Sequence, residues 1–137
     1  MECEHSMDFG WEGDNGLGEE LITQALSGVK TATCGFVRAY TPEELSRIRE
    51  SVDSVIPIID HHGTVRGFLR ILDVFETPFG APDLRLVRGE GDGDDVAKFQ
   101  ADHRIVWELD FAGEQLHDDE PLLVEIFELA EEPVPGT

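Results

Sequence analysis

Leu26-Ser27-Gly28-Val29-Lys30-Thr31-Ala32-Thr33-Cys34 is the stretch where the chain changes its structural period. Upstream, Leu17, Leu21, Ile22, Ala25 and Leu26 recur at helical spacing, so a helix is predicted over 17–27. Asp14 or Asn15 stands where its start needs a cap, and Gly28 suits the left-handed residue that closes a helix. Downstream, Thr31 to Val37 is rich in β-branched and small residues and reads as a buried strand. Lys30 sits at the handover and is one of two lysines, Lys98 being the other, in a chain that otherwise uses arginine for positive charge. Arginine is permanently charged and forked, whereas lysine is compact and loses its proton when desolvated. A lysine at this turn is therefore a candidate for chemistry.

Working outward, Thr41-Pro42-Glu43-Glu44 is a helix start, with Thr41 as cap, proline in the first turn and Glu44 at the capping-box position, leading towards Glu50. Val55 to Ile59 and Val65 to Val74 are apolar, branched runs joined through Asp60-His61-His62-Gly63, which predicts an antiparallel hairpin. Thr77-Pro78-Phe79-Gly80-Ala81-Pro82 breaks that pattern, and Asp83 to Val87 forms a short element whose type the pattern does not decide. Val96, Phe99, His103, Val106 and Trp107 share one helical face, with Asp92 or Asp94 as the expected cap. Pro121 to Leu129 reads as a last strand. Phe9 and Trp11 are expected to pin the N-terminal segment against the rest, with residues 1–8 and 132–137 as flexible ends of one domain spanning 1–137.

Strands interleaved with two or three helices, without repeats or regular crossovers, place the chain in the α+β class, with a mainly antiparallel, barrel-like sheet. A doubly wound nucleotide fold is disfavoured. The 137 residues suffice for one core and are too few for two ordinary domains. No apolar run is long enough to span a bilayer, and Met1-Glu2-Cys3-Glu4-His5 lacks the order of a secretory signal, so a cytoplasmic location is expected. Cys3 and Cys34 make no disulfide framework, which fits a reducing compartment. A net charge of -20 repels phosphate backbones and anionic membranes, so duplex nucleic acid is a poor partner. Screening confines such surface fields to roughly 8 Å, which leaves room for a local cleft that holds one nucleotide.

Two constellations carry possible chemistry. In Gly28-x-Lys30-x-x-Thr33 the ordinary reading is a helix cap, a solvent-facing lysine and two strand threonines. Projected into a cleft, Lys30 would bind a carbonyl or phosphate oxygen or act as a base, and the hydroxyl of Thr31 or Thr33 would bind a ligand or attack it. In Gly89-Glu90-Gly91-Asp92 the glycines allow a sharp turn that aims Glu90 inward, where clustered acids raise its pKa for proton transfer. A solvated loop is the ordinary alternative there. Of the five histidines, His61 and His62 belong to an exposed hairpin tip, and His103 lies near the apolar face of the last helix. Cys3-x-His5 with remote His61 has no zinc spacing, so no metal site is expected. No P-loop, dinucleotide fingerprint or Cys-x-x-Cys pair is present, so no cofactor is expected either.

Taken in order, these pieces resemble the ASCH family of small PUA-like β-barrel domains with predicted RNA-related roles. The resemblance runs through Phe9-Gly10, the 26–34 stretch, Val55 to Asp60 with Gly63, Thr77-Pro78-Phe79, Glu90-Gly91-Asp92, the His103 helix and the strand before Phe127-Glu128. It is strongest to the longer bacterial branch of predicted RNA-binding proteins. Val52-Asp53 replaces the usual Gly-Asp, and Phe99 replaces a common tryptophan; both read as scaffold changes. A short branch of the family deacylates N4-acetylcytidine with a Lys, a Thr and a Glu. That resemblance implies catalytic roles for Lys30, Thr33 and Glu90, with Thr31, Gly28, Asp92 and His103 as ligand-binding neighbours. The implied partner is a nucleoside-like small molecule or one RNA base. The alternative is a non-catalytic RNA-binding module, or a ribonuclease, that uses the same cleft.

Overall fold

A computed structural model of the chain describes residues 5–110 and 117–132. In chain order the elements are β1 (Met7–Asp8), α1 (Leu17–Ser27), β2 (Ala32–Phe36), a 3-10 turn (Val37–Ala39) and α2 (Pro42–Glu50). They continue with β3 (Val55–Ile59), β4 (Val65–Pro78), α3 (Leu84–Gly89), α4 (Val96–Asp110) and β5 (Pro121–Ala130).

The predicted boundaries of α1 follow from local chemistry. Asp14 accepts from the backbone N–H groups of Gly16 and Gly18 at 2.9 Å each, which satisfies donors that the first turn leaves unpaired. At the other end Gly28 has φ 82°, a value that a side chain resists, and the Lys30 N–H returns to the Gln24 carbonyl at 3.0 Å. In α2 the capping box is complete: Thr41 accepts from the Glu44 N–H, and Glu44 accepts from the Thr41 N–H. The cap of α4 differs from expectation. Asp95, not Asp92 or Asp94, accepts from the Lys98 N–H at 3.0 Å, because it stands three residues before that donor.

The five strands form one curled, half-barrel sheet in the order β1-β3-β4-β5-β2. The β3–β4 hairpin turns at Asp60, whose carboxylate accepts from the His62 and Thr64 N–H groups. Strand β4 runs beyond the expected Val74 to Pro78, where it pairs with Pro121; a proline is tolerated at that last position because no further ladder donor is needed. The undecided 83–87 segment is the short helix α3, capped by Asp83, which brings the α-helices among the described residues to four.

Residues 5–8, expected to be flexible, are held. Met7 and Asp8 pair in parallel with Ile58 and Ile59, Met7 is buried, and His5 bonds to Glu125. Phe9 enters the core as predicted, whereas Trp11 stays exposed. The flexible-end expectation for 133–137 and the pairing of Cys3 lie outside the described residues.

Each face of the sheet carries one apolar cluster. On one, Ile22 and Ala25 of α1 pack with Met7, Phe9, Ile56, Ile58, Leu69, Ile71 and Phe127. On the other, Phe99 of α4 and Leu86 and Val87 of α3 pack with Ala32, Phe36, Phe79, Leu122 and Val124. Strand β2 is at the sheet edge and, among the described strands, pairs with β5 alone. Helices α1 and α4, which pack on opposite faces, flank this edge and leave a cavity over it. Among the described residues no helix is long and apolar enough to cross a membrane.

Candidate functional site

The cavity over the β2 edge has a volume of about 420 Å³. Lys30, Thr33, Cys34, Glu90 and His103 line it, with Leu17, Leu21 and Gln24 of α1 on one wall and Trp107 of α4 on the other. Glu20, Asp92 and Asp102 give its rim an acidic character, and Lys98 is the cation beside them. Lys98 is itself held by Asp92 and Asp102 at 2.9 Å each.

Lys30 does not face solvent. Only 2 % of it is exposed, because the chain wrapping around the end of α1 turns the side chain back over the sheet edge. Its ammonium donates to the Ala32 carbonyl at 2.7 Å and to Glu90 Oε2 at 2.7 Å. The first contact has a simple origin. Phe127 N–H donates to the Thr31 carbonyl, so by strand alternation the Ala32 backbone points away from β5, and Lys30 supplies the partner that an edge carbonyl lacks. The second contact fixes Glu90 in the cavity.

Glu90 reaches this position because α3 lies directly against the start of β2. The Thr31 N–H donates to the Gly89 carbonyl at 2.7 Å. A Cβ on Gly89 would stand 2.4 Å from the Ala32 Cβ, so glycine is what permits the close approach. The acidic neighbours are engaged by other cations, Asp94 by Arg88 and Asp92 by Lys98. The expected crowding of like charges around Glu90 is therefore absent, and its pKa moves the other way. Burial alone would raise it, but the Lys30 ammonium and the nearby His103 outweigh that and hold the carboxyl below its ordinary value. Glu90 is therefore held as the ionised carboxylate.

Opposite Lys30, Glu90 Oε1 faces Cys34 Sγ at 4.0 Å and His103 Nε2 at 3.8 Å. Burial first, and the Glu90 charge second, push the Cys34 thiol well above its ordinary range, against a smaller pull from Lys30. His103 is oriented from behind. Its Nδ1 lies 2.8 Å from the Phe99 carbonyl, which only accepts, so Nδ1 carries the proton and Nε2 points at the carboxylate. The Phe99 ring packs on the imidazole at 4.1 Å between centroids, so the phenylalanine at this position serves as scaffold.

The remaining sequence-derived candidates divide. Thr33 lines the cavity, although by alternation its side chain shares the strand face of its cross-strand partner Glu125. It also lines a second cavity of about 430 Å³ with His5, Tyr40, Arg47 and Glu125. Asp92 is on the rim. Gly28 and Thr31 are not among the lining residues: Gly28 shapes the helix end, and Thr31 uses its backbone to join β2 to α3 and β5. Cys34 was missed, and alternation along β2 was the available signal, since Ala32, Cys34 and Phe36 share the face towards α3 and α4.

Fold and site can now be set beside known proteins. The sequence pattern of the ASCH domain matches residues 6–131. The chain belongs to the ASCH domain family. Two solved structures share the fold of this ASCH chain. One is protein EF3133 from Enterococcus faecalis V583, with TM-score 0.73 and 19% identity over 95% of this chain and 78% of that one. The other is the ASCH domain from Lactobacillus crispatus JV V101, with TM-score 0.67 and 19% identity over 90% of this chain and 79% of that one. At such identities the likeness concerns the fold, α+β and PUA-like. A comparison with curated proteins finds no match.

Proposed function

We propose that the cavity over β2 binds a nucleoside-sized ligand and that the ASCH chain hydrolyses an acyl amide of the N4-acylcytidine type. The observation that carries this reading is the buried Lys30–Glu90 pair, 2.7 Å apart, opening onto a cavity of nucleoside dimensions. Among the described residues two of the three ammonium N–H bonds of Lys30 are occupied, and the third would meet the acyl carbonyl oxygen, where charge develops during attack. The Thr33 hydroxyl attacks the carbonyl carbon while the Glu90 carboxylate takes its proton. The C–N bond then breaks, Glu90 returns the proton to the amine of the cytosine, and water hydrolyses the ester left on Thr33. The acidic rim favours a ligand without phosphates over a strand of RNA, whose binding needs cationic contacts.

Incubation of the purified protein with N4-acetylcytidine, followed by chromatography, tests the reading. Cytidine release is expected, with losses of roughly 100-fold or more in Glu90→Gln and Thr33→Val. No release by the wild type, or equal release by all three proteins, overturns the hydrolytic step. Calorimetry with the same nucleoside separates binding from turnover.

A further inference from the structure

We infer that Cys34, Glu90 and His103 form a binding site for one divalent cation of the zinc type. Their donor atoms, one from each residue, all lie within 4.8 Å of one another. A tetrahedral ion with ordinary bonds to sulfur, nitrogen and oxygen sets its ligand atoms about 3.4–3.6 Å apart. The observed 4.0 Å from Cys34 Sγ to Glu90 Oε1 and 3.8 Å from His103 Nε2 to Glu90 Oε1 need to close by only a few tenths of an ångström. The mixture of thiolate, imidazole and carboxylate matches zinc and its neighbours rather than magnesium or calcium, which take oxygen ligands.

A second, independent feature points to an ion. The Phe99 carbonyl accepts from Nδ1–H, which leaves Nε2 as the ring atom aimed at Glu90 Oε1. At 3.8 Å the two atoms stand too far apart for a hydrogen bond. The Nδ1–H to carbonyl bond is the outer contact that habitually orients a metal-binding histidine. Glu90 is also divided suitably. Its Oε2 is held by Lys30, while Oε1, among the described residues, meets only Cys34 and His103. On binding, the Cys34 thiol gives its proton to the buffer, and the thiolate and the carboxylate together meet the two charges of the ion. With three protein ligands, the fourth position faces the cavity.

The site escapes sequence inspection because its donors come from β2, the end of α3 and the middle of α4, with no short spacing among them. It shares Glu90 with the nucleoside reading, but its test uses the metal alone, so either can fail without the other. Titration of the metal-free protein with Co2+ is expected to give thiolate-to-cobalt charge-transfer absorption and tetrahedral visible bands at one equivalent, and Zn2+ is expected to displace them. Cys34→Ser should abolish the charge-transfer band, and His103→Gln should weaken binding by roughly 10-fold or more. Cys3→Ser should leave the spectrum unchanged, and circular dichroism of each variant reports that it is folded. Absence of the band in the wild type overturns the proposal. So does a band that survives Cys34→Ser but disappears in Cys3→Ser. If cytidine release persists in Cys34→Ser while cobalt binding is lost, the metal site and the hydrolytic reading are separate.

Discussion

Lys30 Nζ and Glu90 Oε2, sixty residues apart in the chain, form a 2.7 Å ion pair with the lysine 2 % exposed. Removing the carboxylate leaves an ammonium buried without its counter-charge, which costs about 3–5 kcal/mol. Glu90→Ala is expected to lower urea stability by that order. The double variant Lys30→Met, Glu90→Leu should recover part of it, with the Ala32 carbonyl still lacking a donor. Equal losses in the single and double variants would show that the cost does not arise from the unpaired charge.

Gly89 touches Ala32 where α3 meets β2. In an ordinary helix, alanine is more favourable than glycine by about 0.5–1 kcal/mol. Here the new methyl would lie 2.4 Å from the Ala32 Cβ and 3.0 Å from the Ala32 nitrogen, so α3 must move away from the strand. Gly89→Ala is expected to destabilise by about 1–3 kcal/mol. The same shift should weaken nucleoside binding, because Glu90 follows directly in the chain. A stabilised variant in thermal melts would contradict the close approach.

Tyr40 is the single tyrosine in the chain, so its ionisation is directly readable. Burial first, and then the charge of Glu125, raise its pKa from 10.0 to about 12. The native phenolate absorbance should therefore appear near pH 12. A folded-state value above the unfolded one means that Tyr40 contributes stability fully below pH 10, and that this contribution is lost as the pH rises towards 12. Tyr40→Phe should flatten stability across that window. A native midpoint at the ordinary value would refute the burial.

The net charge of -20 predicts an opposite response to salt from that of a nucleic-acid-binding protein. Screening relieves self-repulsion, so the melting temperature should rise between low and high salt. Binding of an uncharged nucleoside should hardly change over the same range. Steep weakening of ligand binding with salt would indicate phosphate contacts instead.

Much of the architecture was legible in the residues, since it rests on interactions between near neighbours. The period of Leu17 to Leu26 and the left-handed tolerance of Gly28 delimit α1, and Thr41 with Glu44 starts α2. Asp60 closes the hairpin within four residues of itself. The ASCH order of these pieces then sufficed for the fold. Lys30 and Glu90 could be singled out as unusual, but not as partners. Their contact depends on α3 lying against the β2 edge, which Gly89 permits and no local pattern announces. The parallel pairing of Met7 and Asp8, the approach of Cys34 to Glu90 and the aim of His103 are of the same kind. Backbone preference and capping act over a few residues and are written in the sequence. Which donors converge is decided by packing between distant segments, and only the tertiary structure turned a lysine at a helix end into the floor of a cavity.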